Sequence, residues 1–225
     1  MTIPVITLDG PSGVGKGTIS ALLADKLNWH YLDSGALYRL TGLACMQKDV
    51  ALDAHEEVAE IAENLQVKFL PTGGILLEDK EVEALIRTET AGNNASIVAA
   101  IPSVRDALFR RQRAFLQMPG LVADGRDMGT TIFPDAPLKV FLTASAEERA
   151  KRRYKQLIEK GNNVKIESLR VEIEDRDKRD MNRAVSPLKP APDAHIIDTS
   201  DLTIDEVFEK VMGLYNSLFS NRDAT

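Results

Sequence analysis

One cysteine, one tryptophan and three histidines among 225 residues leave several kinds of chemistry without raw material. A lone Cys45 cannot close an internal disulfide or build a cysteine-based metal centre, and histidines scattered at positions 30, 55 and 195 give no zinc-ligand spacing. No apolar run approaches the roughly 18 residues of a membrane span, and the N-terminal stretch lacks a basic segment followed by an apolar signal core. The expectation is a cytoplasmic chain with no membrane partner. Positive charge is also scarce, with 28 Lys and Arg against 34 Asp and Glu and a formal net charge of -6. That balance argues against gripping a nucleic-acid backbone by bulk charge, so any polyanion must be met locally.

What the chain does have is enough length for one compact unit or two small ones, built around a sizeable core. Strand-like runs at 3–8, 29–32, 121–124, 138–142 and 195–198 alternate with amphipathic stretches at 16–27, 35–47, 55–64, 102–117, 146–160 and 166–183. This order predicts an α/β fold whose parallel sheet is joined by crossover helices. The first run shows no polar alternation, as a central strand covered on both faces would. A last helix is expected from Thr203, where Thr203 and Glu206 match a capping box and Ile204, Val207, Val211, Leu214 and Leu218 form an apolar stripe. Residues 66–83 break the rhythm: two short strand-like runs flank Pro71 to Gly74 and a third follows Asp79, which predicts a small antiparallel insertion. The proline-rich stretch 186–192 is too short for a domain linker and reads as a loop before the last strand.

Directly after the first strand come Gly10, Pro11, Ser12, Gly13, Val14, Gly15, Lys16, Gly17 and Thr18. Glycine is needed where backbone takes positive φ or approaches a ligand closely. With a helix beginning near Lys16, the loop N–H groups and the positive end of the helix dipole converge into an anion site, for which phosphate is the natural guest. Lys16 would reach the β and γ phosphates, and the Thr18 hydroxyl could approach the phosphates or a magnesium ion. The spacing of Gly10, Gly15 and Lys16 fits G-x-x-x-x-G-K, but Gly17 follows the lysine, so the hydroxyl arrives one place late. The dinucleotide fingerprint G-x-G-x-x-G fails, because Thr18 stands where its third glycine belongs. A glycine-rich turn is the alternative. A strand before, a helix after and a lysine in register favour phosphate.

No N-K-x-D segment of a GTPase occurs. Small-molecule kinases instead gather arginines, whose planar forks bind phosphate oxygens in pairs and spread developing charge. Positions 166, 169, 173, 176, 180 and 183 share one helical face and read Ile, Leu, Ile, Arg, Asp, Arg. Either the apolar half packs on the core while the charged half lines a polar cavity, or the helix is solvated and laced with salt bridges; periodicity does not separate the two. "DGRD" at 124–127 places Arg126 and Asp127 at the carboxyl end of a strand, where open parallel sheets bind ligands and where surface turns also occur. In "LDSGALYR" at 32–39, Ser34 is expected to cap a helix that carries Arg39, which capping does not explain. The run "RAKRRYK" at 149–155 is a lid over triphosphate or a solvated basic face.

Together "DGPSGVGKGT", "LDSGALYR", "NNASIVAAIPSVRDALFRRQRAF", "PGLVADGRDMGT", "FPDAP" and "RDKRDMNRAVSPLKPAPDA" resemble the bacterial cytidylate kinases, a family of nucleoside monophosphate kinases, across nearly the whole chain. The resemblance implies a P-loop kinase with a five-stranded parallel sheet wrapped by helices. Its core would comprise 1–33, 102–149 and 166–225, its monophosphate-binding domain 34–101 with the insertion near 66–83, and its lid 150–165. The implied reaction carries the γ-phosphoryl of ATP to CMP or dCMP, with magnesium, in pyrimidine nucleotide metabolism. By the family's pattern Gly10 to Thr18 cradles ATP, with Lys16 on the transferred group. Arg39, Arg126 and Arg183 hold the acceptor phosphate; Ser34 lies in the same acceptor site. Ser96, Arg105 and Asp127 read the cytosine, and Arg176 and Asp180 contact the sugar, with Arg176 also within reach of the phosphoryl. Arg149, Arg152 and Arg153 are the lid candidates. No protein group is assigned to the metal directly; Thr18 is the candidate, beside a largely water-coordinated magnesium. A monomer is expected. The rivals are a kinase for another small acceptor, such as shikimate, and a nucleotide-dependent switch that signals to a protein partner; a switch would ignore CMP.

Overall fold

The computed structural model describes residues 2–70, 74–159, 161 and 163–219. In chain order the elements are β1 (Val5–Asp9), α1 (Lys16–Leu27), β2 (His30–Asp33), α2 (Ser34–Gln47), α3 (His55–Glu63), β3 (Val67–Phe69), β4 (Ile75–Leu77), β5 (Lys80–Glu81), α4 (Glu83–Ile86), α5 (Glu89–Val98), α6 (Pro102–Arg113), β6 (Leu121–Gly125), a π-helical turn (Met128–Ile132), β7 (Leu138–Thr143), α7 (Ala146–Glu159), α8 (Ile166–Asn182), β8 (His195–Asp198) and α9 (Ile204–Phe219). They fall into two compact units, Met1–Leu32 with Phe115–Thr225, and Asp33–Ala114.

The first unit is built on a five-stranded parallel sheet of order β2-β6-β1-β7-β8. β1 and β6 are buried at every position, in keeping with sequences that are mostly apolar and do not alternate with exposed polar residues. Ile6 and Leu8 of β1, Val122 of β6 and Val140 and Leu142 of β7 pack with Ile19 and Leu23 of α1 and Val207 and Val211 of α9. The capping box forms as expected: Glu206 N donates to Thr203 Oγ1 at 3.3 Å and Thr203 N to Glu206 Oε2 at 2.8 Å. The stripe it starts is buried only in its middle, with Ile204 and Leu218 exposed at its ends.

In the second unit α2 packs along α3, α4 and α5, and α3 along α6. α5 comes so near α2 that a β-carbon on Gly42 would lie 3.0 Å from Asn94 Cβ. The small antiparallel sheet, of order β3-β4-β5, is the expected insertion, although residues 71–73 lie outside the described residues. α6, which packs on α3, falls in this unit. The segment 83–98, for which no element was expected, forms α4 and α5.

Candidate active site

The loop between β1 and α1 takes the conformation its glycines permit, with φ of 146° at Gly10, 79° at Gly13 and 94° at Gly15. A β-carbon on Gly10 would overlap the Leu142 carbonyl oxygen of β7, so the loop's first residue lies flat against the neighbouring strand. α1 starts at Lys16 with Gly15 as its N-cap; no side chain caps it and its first turn holds no acid. The N–H groups of that turn therefore keep their hydrogen bonds for an incoming anion. Lys16, 6% exposed, donates from Nζ to Pro11 O at 2.7 Å. Burial depresses its pKa most, the nearby Arg126 cation adds to this, and Asp124 and Asp9 oppose it.

Those two carboxylates were not singled out from the sequence. Asp9 ends β1 beside Gly125 of β6, and its Oδ1 and Oδ2 accept from Met128 N and Gly129 N, each at 2.8 Å. Burial pushes its pKa up to about 7, against the pull of the two amides. Asp124, near the end of β6, accepts from Tyr31 OH at 3.3 Å, and its Oδ2 lies 3.4 Å from where a β-carbon of Gly17 would stand. A carboxylate thus faces Gly17 in the first turn of α1, the turn that also carries Thr18. That arrangement suits a magnesium ion held through water. Only the sheet register brings these acids to the loop.

The charged half of the α8 face is turned inward. Asp180, 3% exposed, accepts from Arg126 Nε at 3.1 Å, and the Arg183 guanidinium stands 3.8 Å from Asp127 Oδ1 while its Nε donates to Ser186 O at 2.5 Å. Arg176 is close enough to Lys16 to help depress its pKa. Arg126, Asp127, Arg176, Asp180 and Arg183 thus gather around the ends of β6 and α8, and the paired groups among them are internal rather than solvated. Of the lid candidates, Arg149 is buried. It pairs with Asp177 at 2.5 Å and donates to Ser12 O and Ala144 O, each at 3.1 Å. Arg152 donates to Thr199 O and Thr199 Oγ1, and Arg153 to Gln156 Oε1. Residues 160 and 162 of the expected lid lie outside the described residues.

In the second unit, Ser34 does not cap α2. Asp33 does, accepting from Ala36 N at 3.0 Å, so Ser34 becomes the first helical residue and its hydroxyl donates to Gln112 Oε1 at 2.8 Å. Asp33 adopts the extended backbone of a cap and also accepts from Arg87 at 2.7 Å. Arg39 donates to Ile86 O at 2.6 Å and to Thr88 O at 3.1 Å. Ser96 and Arg105 are buried, the Arg105 guanidinium 5.6 Å from the centre of the Tyr38 ring.

A parallel sheet whose first strand runs through a glycine loop into an uncapped helix, with lysine and arginine converging where that loop ends, defines a P-loop phosphotransferase. The model of the cytidylate kinase family matches residues 6–217. The cytidylate kinase of Aeromonas salmonicida (strain A449) is 57% identical over 212 residues, covering 93% of this chain and 92% of that protein. That of Shewanella sp. (strain MR-4) is 57% identical over 224 residues, 97% of each. The chain belongs to the cytidylate kinase family. A solved shikimate kinase from Bacteroides thetaiotaomicron, 12% identical with a TM-score of 0.47 over 95% of this chain and 98% of that one, is too remote to bear on the site. No helix among the described residues is long and apolar enough to cross a membrane.

Proposed function

We infer that this chain transfers the γ-phosphoryl group of ATP to CMP or dCMP, giving ADP with CDP or dCDP. The observation that carries the reading is the family match over 6–217, which spans both the loop and the arginine groups. An acceptor phosphate oxygen attacks the γ-phosphorus while its bond to the β-phosphate oxygen breaks. Because the acceptor oxygen is already ionised near neutral pH, no strong general base is needed, and catalysis is positioning plus charge neutralisation.

The triphosphate lies on the N–H groups of the loop and of the first turn of α1. Lys16 exchanges the Pro11 carbonyl for a phosphate oxygen, and the anion restores the charge that burial discourages. Arg39, Arg126 and Arg183 hold the acceptor phosphate, with Ser34 in the same acceptor site. Ser96, Arg105 and Asp127 read the base. Arg176 and Asp180 take the sugar, Arg176 also reaching the phosphoryl in transfer. Arg149, Arg152 and Arg153 of α7 are the candidates to reach the triphosphate from the lid, and Arg149 already holds Ser12 O of the loop. Magnesium, held on water beside Thr18 and Asp124, would supply further neutralisation of the phosphate charge. In this reading the enzyme acts as a monomer in the cytoplasm.

A coupled assay of ADP release with CMP, dCMP, UMP, AMP and shikimate tests this reading. CMP and dCMP should be turned over most efficiently. Equal use of UMP or AMP would reduce the reading to a generic monophosphate kinase, and ATP turnover indifferent to every acceptor would point to a switch.

A further inference from the structure

The π-helical turn Met128–Ile132 begins immediately after Asp127, and its closure is a wide one, with Phe133 N donating to Met128 O at 2.7 Å. The first N–H groups of any helical turn lack partners within it, and an aspartate at the preceding position ordinarily bends back to accept from them. Asp127 makes no such capping bond. The two N–H groups are already taken by Asp9, whose two carboxylate oxygens hold Met128 N and Gly129 N at 2.8 Å each. The turn is also seated directly on β1, since a β-carbon on Gly129 would lie 2.9 Å from Thr7 Oγ1.

We propose that Asp9 is a positioning residue for acceptor recognition: by capping the turn from β1, it spares the Asp127 carboxylate from capping its own backbone and holds Arg126 and Asp127 in their working orientation. Asp9 touches neither nucleotide and acts through the turn. The proposal rests on the reading of Asp127 as a contact to cytosine. Asparagine at position 9 would present an N–H where one acceptor now stands, leaving one amide of the turn unpaired, and Asp127 occupies the N-cap position from which a carboxylate ordinarily replaces such an acceptor.

The test is steady-state kinetics of Asp9→Asn, Asp9→Glu and Asp127→Ala, and of the Asp9→Asn, Asp127→Ala double variant, with CMP and UMP as acceptors. Asp9→Asn should raise the CMP KM about tenfold and lower the CMP-to-UMP ratio of kcat/KM about tenfold, with the ATP KM changed less than about twofold. Asp9→Glu keeps the charge beside Lys16 while moving the acceptors, and should shift the ratio in the same direction. In the Asp127→Ala background Asp9→Asn should have little further effect on the ratio, because one acts through the other. A wild-type ratio in both Asp9 variants, with lowered turnover or lowered stability only, means that Asp9 serves Lys16 or the fold, and overturns the proposal. If Asp127→Ala lowers the ratio and the Asp9 variants do not, the proposal alone falls. If Asp127→Ala leaves the ratio unchanged, the base-reading assignment is wrong and the proposal falls with it.

Discussion

Lys16 and Pro11 are joined by a hydrogen bond of 2.7 Å, the lysine ammonium folding back onto a carbonyl of its own loop. The buried cation is thereby provided with an acceptor before any phosphate arrives, and the loop is braced from within. Lys16→Met removes both this brace and the cation on the transferred group. Turnover should fall by about two to four orders of magnitude, judged from losses at comparable electrostatic groups, while CMP binding measured by calorimetry stays close to wild type. Near-normal turnover would remove Lys16 from the phosphoryl group.

Arg149 and Asp177 form a buried pair with side chains 4% and 12% exposed. Asp177→Ala would leave a guanidinium enclosed with only carbonyl oxygens for partners, and should cost about 3–5 kcal/mol in a denaturant titration. Replacing Arg149 and Asp177 together by Met and Leu should recover most of that loss, since the penalty comes from the unpaired charge. The phosphate loop would still suffer, because Arg149 also holds Ser12 O. A double variant with restored stability and normal ATP KM would show that this second contact is idle.

Asp9 sets a pH dependence of stability whose sign is determined by burial. Its pKa rises from 3.8 to about 7 on folding, so the folded chain binds the proton more tightly than the unfolded one. The resulting contribution is fully present below about pH 4 and is lost as pH rises through about 7. Asp9→Asn cannot titrate there. The stability of the wild type relative to this variant should therefore decrease between about pH 4 and pH 7, measured by denaturation at several pH values. An increase over that range would mean that the two amides, and not burial, dominate the carboxylate.

The parallel sheet was legible because β1 and β6, buried at every position, are mostly apolar without a polar face, and α9 was legible because a capping box marks where it starts. α5 was not. Its Gly92, Asn93 and Asn94 are poor helix formers, and what favours the helix is tertiary: the close approach to Gly42 of α2 rewards small residues that propensity alone disfavours. At the site, the loop and its lysine announced themselves through spacing; spacing also put Arg176, Asp180 and Arg183 on one face of α8 but left open whether that face turns inward. Asp9 and Asp124 gave no comparable signal, because a single acid beside a glycine has no period. What makes them informative is the pairing of β1 with β6, a relation between positions more than a hundred residues apart in sequence. Ser34 misled because two potential caps, Asp33 and Ser34, stand side by side and only the backbone angles choose between them.

Gly10 meets the main chain of Leu142, not its side chain. Every amino acid presents the same carbonyl there, so no exchange at position 142 can make room for a β-carbon at position 10. Side-chain contacts around the loop can drift in compensating pairs, as one residue shrinks and its neighbour grows, but this contact offers drift no partner. A lineage that loses Gly10 has no local suppressor at 142, and regaining the loop's seating requires reverting to glycine or displacing a strand of the central sheet.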